Sequence, residues 1–215
     1  MDPTRAEQIA DELEQLVFHG EYEDGQRLDE IKLANHFGVS RTPIREALHR
    51  LVVSGMAEQI PRRGVFVRQP GPVQLLELFE TMAELEASCG RFAAVRMTDN
   101  GLGRLVDANR KCRAAVERED SSGYYRENEA FHQEIYLGAT NAYLQSEALR
   151  LQNRLKPYRR VQLQFRGRMA QSLAEHEAII EALRAGNSEL AASSLRAHVT
   201  VQGEKFQQLM AGLKH

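Results

Sequence analysis

Gly38-Val39-Ser40-Arg41-Thr42-Pro43-Ile44-Arg45-Glu46-Ala47-Leu48 reads as a tight turn running into a helix with two unlike faces. Gly38 offers the backbone freedom that a turn needs, and Ser40 is placed as an N-cap whose side-chain oxygen accepts from an otherwise orphaned amide. A helix is expected from about Arg41. Pro43 falls in its first turn, where the amide proton it lacks would have had no intrahelical acceptor, so it stiffens the start without breaking the helix. At 100° per residue Arg41, Thr42, Arg45 and His49 share one face, while Ile44, Ala47, Leu48 and Leu51 share another. One face packs and the other is free to read a partner.

The flanking sequence completes a motif. Residues 28–37 form a candidate first helix, with Ile31, Leu33, Ala34 and Phe37 available to pack on the second. Thr4-Arg5-Ala6-Glu7 is a capping box opening an earlier amphipathic helix that carries Ile9, Leu13, Leu16, Val17 and Phe18. Downstream, strand candidates at 56–60 and 65–68 flank Pro61-Arg62-Arg63-Gly64, a hairpin with a basic tip. The formal net charge of −2 argues against a protein that binds nucleic acid merely by being basic, but from Ser40 to Arg68 six arginines face two acids, a local net of +4. Arginine suits this setting, because it pairs with phosphate for affinity and with guanine edges for specificity. Turn, helix and wing together therefore point to a double-stranded DNA reader, against the plainer reading of a solvated basic face on a three-helix domain.

These residues resemble the winged helix-turn-helix of the GntR superfamily of bacterial transcription regulators. The resemblance implies operator contacts from Arg41, Thr42 and Arg45 on the second helix and from Gly64 at the wing tip. Ser40, His49, Arg62 and Arg63 are candidates by position beside them. Some relatives of the FadR type place a DNA-contacting arginine where this chain has Ile31, and Lys32 is the candidate for a replacement phosphate contact.

Gln69-Pro70-Gly71-Pro72 bars regular structure and marks a joint between a domain at 1–69 and a second at 73–215. The second reads as an all-helical antiparallel bundle of about six helices, so the fold class is mostly α. Its apolar stripes include Leu75, Leu76, Phe79, Met82, Ala83 and Leu85, then Leu102, Leu105, Val106, Cys112 and Val116, the latter interrupted by Asn109. Helix breaks are expected near residues 98–101, 120–123 and 140–141, at Pro157, and at 186–188. Cys89 and Cys112 lie within helical patterns without metal-type spacing and carry no assigned role. The chain has neither an apolar run long enough to span a bilayer nor a signal-peptide pattern, so no membrane partner and a cytoplasmic location are expected.

Asn128 and His132 are four apart and project from one helix face, while His176 and His198 fall on the last two helices. Three helices can then converge on one point. Histidine is often simply solvent-facing or hydrogen-bonded, as His19, His36, His49 and His215 illustrate, so spacing alone is a weak signal. The second domain also resembles the all-helical FCD effector domain of the FadR subgroup, in its shorter VanR-like branch. That resemblance implies a divalent metal held by Asn128, His132, His176 and His198. Nitrogen donors favour Zn²⁺ or Ni²⁺, with Mn²⁺ also compatible. Neutral imidazoles and a neutral amide leave the cation uncompensated, which favours a small organic acid as effector. Arg91, Arg159, Arg160 and Arg168 are candidates to grip it by sequence neighbourhood. Many relatives that bind organic acids have an arginine where this chain has Met82, so the ligand itself is not transferable.

The expected function is a homodimeric DNA-binding regulator, not an enzyme, whose operator affinity answers to that effector. Two other readings stay open from the sequence. One is a metal-dependent hydrolase fused to a DNA-targeting domain, although Glu175 and Glu129 are expected to turn away from the metal by the helical step; the other is a bundle that only dimerises.

Overall fold

Thr4 and Glu7 exchange the reciprocal bonds of a capping box, Glu7 N donating to Thr4 Oγ1 at 3.3 Å and Thr4 N to Glu7 Oε2 at 2.7 Å. From there the chain forms α1 (Arg5–Phe18), β1 (Arg27–Leu28), α2 (Glu30–Phe37), α3 (Arg41–Val53), β2 (Ala57–Ile60) and β3 (Gly64–Val67). The computed structural model describes residues 4–18, 20–163 and 165–212, by backbone alone at 18 and 201–212. The Phe18 side chain, His19 and His215 lie outside the described residues.

The apolar stripe of α1 closes on the other two helices: Ile9, Leu13 and Val17 share one core with Leu33 and Ala34 of α2 and Ile44, Ala47, Leu48 and Leu51 of α3. Gly38 takes the left-handed conformation, φ 62°, that lets α2 end and α3 begin within three residues. The cap residues divide the work differently from the sequence expectation. Ser40 sits at the N-cap of α3 in extended backbone but makes no side-chain cap bond. Asp29 is the working cap, accepting from Ile31 N at 2.9 Å and Lys32 N at 3.1 Å, so α2 starts at Glu30 and Leu28 belongs to a strand. Ile31 does not pack on α3 but stands 54% exposed, because α2 turns only Leu33 and Ala34 fully inward.

The wing has three strands rather than two, in the order β1-β3-β2 and antiparallel throughout. The two-residue strand β1 carries no alternation for a sequence to display, and only its pairing, Arg27 with Phe66 and Leu28 with Val65, makes it a strand. At the hairpin tip Ile60 pairs with Gly64, and Gly64 adopts φ 111°, a backbone conformation that a side chain would strain.

A second compact unit, Pro72–His215, follows the first, Met1–Gly71. It comprises α4 (Pro72–Arg96), α5 (Asp99–Glu117), α6 (Ser121–Gly138), α7 (Ala142–Gln162), α8 (Arg168–Arg184) and α9 (Ser188–Gly212). Thr98, Asp120 and Asn141 cap α5, α6 and α7, each accepting from the amide three residues on. Asn187 does the same before α9. Pro157 ends nothing. It lies buried inside α7, because Ala148, Gln152 and Leu155 before it and Tyr158 and Arg159 after it are buried together and hold one continuous helix across the missing amide. The reversal comes later, at Gly167, with φ 78°. α4 packs along α9 and also against α6 and α7, and α5 packs on α6 and α8. Cys89 and Cys112 are buried and free, with burial pushing both thiols up to about 12.

Candidate functional site

The two faces of α3 separate as their spacing requires. Ile44, Ala47, Leu48 and Leu51 are buried, and Arg41, Thr42, Arg45 and His49 are exposed. Arg45 Nε lies 2.9 Å from Glu30 Oε2, an exposed pair that orients the side chain at little energetic consequence. Ser40, Lys32, Arg62 and Arg63 are exposed as well, and the Arg63 guanidinium sits 5.6 Å from the centre of the Phe66 ring.

In the helical unit the three histidines meet. His132 of α6, His176 of α8 and His198 of α9 are buried, and one ring nitrogen from each lies within 4.8 Å of the others. Each Nδ1 has an acceptor beside it. His132 Nδ1 is 2.6 Å from Glu86 Oε2, His198 Nδ1 is 2.6 Å from Glu175 Oε2, and His176 Nδ1 is 3.1 Å from Asn109 Oδ1. Contacts of 2.6 Å between nitrogen and carboxylate oxygen are too close for two bare lone pairs, so a proton stands between them. That proton resides on Nδ1, which leaves Nε2 of a neutral ring as the ligand atom. His176 Nε2 is buried without a hydrogen-bond partner, an orphaned atom of the kind a bound cation would satisfy. The donor set therefore fits a metal of the Zn²⁺ or Ni²⁺ type.

Electrostatics keep the rings neutral. Burial, with His198 and His132 as near neighbours, holds His176 well below the ordinary imidazole range. Burial likewise lowers His198 to about 4, although Glu175 pulls the other way. Burial alone would raise Glu86, but His132 and Arg159 beside it outweigh that and hold the carboxyl at about 2. Glu86 also accepts from Tyr136 Oη at 2.8 Å.

Glu86 escaped the sequence reading although its signal is visible: it continues the buried stripe of Phe79, Met82, Ala83 and Gly90, where a charge needs a partner. Glu175 corrects an expectation. It does not turn away, because α9 packs on α8 and sets His198 against the residue just before His176. Glu129 accepts from Tyr125 Oη at 2.8 Å on the pocket side, and its charge reaches His132 and Arg159. Asn109, the polar gap in the stripe of α5, holds His176.

The four candidate arginines divide. Arg159 and Arg168 are 4% and 1% exposed and line one small polar pocket with Asn128, Tyr125, Leu163 and Ser172. Arg159 Nη2 lies 3.1 Å from His132 Nε2, and Arg168 Nη1 donates to Glu175 Oε2 at 3.0 Å. Arg91 instead pairs with Glu189 on the surface at 2.9 Å, and Arg160 lies 5.8 Å from the centre of the Tyr125 ring. Asn128 thus borders the pocket beside the histidines, while each of the six helices contributes a residue to the polar centre.

Comparison with known proteins decides the family. Residues 5–67 match the model of bacterial regulatory proteins of the gntR family, and residues 77–201 match the FCD domain. The chain is a GntR-family transcription regulator with an FCD domain. The Nta operon transcriptional regulator of Aminobacter aminovorans is 40% identical over 86 residues, 40% of this chain and 41% of that protein. The uncharacterised regulator YdhC of Bacillus subtilis is 26% identical over 94% of this chain and 91% of its own length. Among solved structures, Escherichia coli McbR/YncC has the same fold, with a TM-score of 0.73 and 24% identity over 98% of this chain and 100% of that one. The matched family and the two sequence relatives are transcription regulators and not enzymes, which sets aside the hydrolase reading. No helix among the described residues is long and apolar enough to cross a membrane.

Proposed function

We propose that this GntR-family regulator binds operator DNA as a cytoplasmic homodimer and is controlled by a small organic acid bound beside a metal in its FCD domain. The observation that carries the metal is the buried triad His132, His176 and His198, whose Nδ1 atoms are all turned to acceptors. Asn128, on the pocket wall, is the fourth candidate ligand. Arg41, Thr42 and Arg45, aided by Ser40, Lys32, His49, Arg62, Arg63 and Gly64, are assigned to the operator.

The case for an anionic effector rests on charge. Glu86, Glu175 and Glu129 set three carboxylates against Arg159 and Arg168 beside three neutral rings, so a divalent cation leaves positive charge in excess there, which favours an anion. An acid that favours the DNA-free form ~100-fold would lower operator affinity by about 2.7 kcal/mol. Two copies of one small reading head suit a palindromic site.

The test is metal analysis of the purified full-length protein against His132→Ala, joined to operator titrations by fluorescence anisotropy with a panel of organic acids. The proposal expects metal in the wild type only, and release of the operator by at least one acid. Equal metal content in the two proteins removes the metal site, and operator binding indifferent to every acid removes the effector.

A further inference from the structure

Arg159 holds a position that two ligands contest. Its guanidinium is buried, with Nη2 3.1 Å from His132 Nε2 and Nη1 3.4 Å from Glu86 Oε1, and its side chain also lines the pocket shared by Asn128 and Arg168. His132 Nδ1 lies 2.6 Å from Glu86 Oε2, too close for two bare lone pairs, which places the ring's proton on that side and leaves Nε2 as its lone pair. That lone pair accepts from a guanidinium or ligates a cation; it does not do both. A cation placed there also meets the positive charge of Arg159 at close range.

We propose that Arg159 is the residue coupling metal to anion: when His132 turns its lone pair to a cation, the N–H of Arg159 is handed to a carboxylate in the adjoining pocket. The inference rests on the reading of the triad as a metal site. Glu86 anchors the guanidinium from one side, which keeps it in the centre after His132 is lost as acceptor. A buried donor left unpaired is destabilising, and more so when charged. The carboxylate is the fitting remedy, since its two oxygens match the planar fork of a guanidinium. Arg168 adds a second donor, for its Nε is buried without a hydrogen-bond partner while Nη1 stays on Glu175. Metal without anion therefore strands a donor, and anion without metal finds that donor occupied. Each ligand strengthens the other, and the effector domain responds to their coincidence.

The experiment titrates Zn²⁺ into metal-stripped full-length protein by calorimetry, with and without acetate as the carboxylate probe. In the wild type acetate is expected to tighten Zn²⁺ binding about tenfold, and Zn²⁺ to tighten acetate equally. Arg159→Lys keeps a positive charge for Glu86 but lacks the planar fork, so the coupling is expected to fall below about twofold, with Zn²⁺ alone bound no more weakly than by the wild type. Arg159→Gln serves with the same expectation where circular dichroism shows that the lysine variant does not fold. Zn²⁺ binding by the wild type that ignores acetate overturns the inference and leaves the metal site standing. Coupling that survives in the variant overturns it too, by assigning the acetate effect to direct ligation alone. A wild type that takes up no Zn²⁺ removes the metal site and the inference together.

Discussion

One carboxylate oxygen of Glu175 stands 2.6 Å from His198 Nδ1 and also accepts from Arg168 Nη1 at 3.0 Å. It joins the ring that would ligate a metal to the guanidinium that lines the pocket. Glu175→Gln keeps the shape but removes the charge that fixes the His198 tautomer and balances Arg168. Metal affinity is expected to fall about 10–100-fold, read by competition with a chromophoric chelator, with helix content unchanged. An affinity within about twofold of wild type would make Glu175 a bystander.

On α3, Arg41 and Arg45 carry exposed side chains whose loss touches no core residue. Arg41→Ala and Arg45→Ala are each expected to weaken operator binding by about 1–3 kcal/mol at fixed salt. Thermal stability should stay close to wild type, because the exposed Arg45–Glu30 pair contributes little. Anisotropy titrations showing unchanged affinity in both variants would remove the recognition face from α3.

Gly90 lets α4 and α9 approach closely. A Cβ at this position would run into the Leu195 side chain and stand 3.2 Å from the backbone oxygen of Ala191. Gly90→Ala is expected to cost about 1–3 kcal/mol, seen as a lower urea midpoint at constant m-value. A midpoint equal to wild type would mean that the two helices separate without penalty.

Stability of the metal-free protein should fall with acid. The unfolded chain takes up protons at histidine near the ordinary value of 6.5, while the folded state holds His198 at about 4 and His176 well below its usual range. Their contribution is complete above the unfolded value and is lost as pH falls from about 6.5 towards 4. Glu86, held at about 2 against an ordinary 4.5, works in the same direction at lower pH, its contribution present above 4.5 and lost through 2. Urea midpoints should therefore drop between about pH 7 and about pH 5, and bound metal should delay the drop at its upper end because it competes with protons. A flat profile would mean that the buried rings are not neutral in the folded state.

The features legible in the chain alone are those set by short-range physics. The capping box at Thr4, the turn at Gly38, the two faces of α3 and the caps at Thr98, Asp120 and Asn141 each depend on residues within a turn or two, so spacing reveals them. The three histidines were legible as candidates, and the family resemblance singled them out from His36 and His49, which are exposed on α2 and α3. What surrounds them came from packing between helices. Packing of six helices set Glu86 against His132, Asn109 against His176 and Glu175 against His198, and placed Arg159 and Arg168 beside them while Arg91 pairs with Glu189 on the surface. It also carried α7 through Pro157 and made β1 a strand. Helix periodicity says which way a residue faces on its own helix, but a charge network exists only once separate helices are in register, and that depends on contacts between residues far apart in the chain.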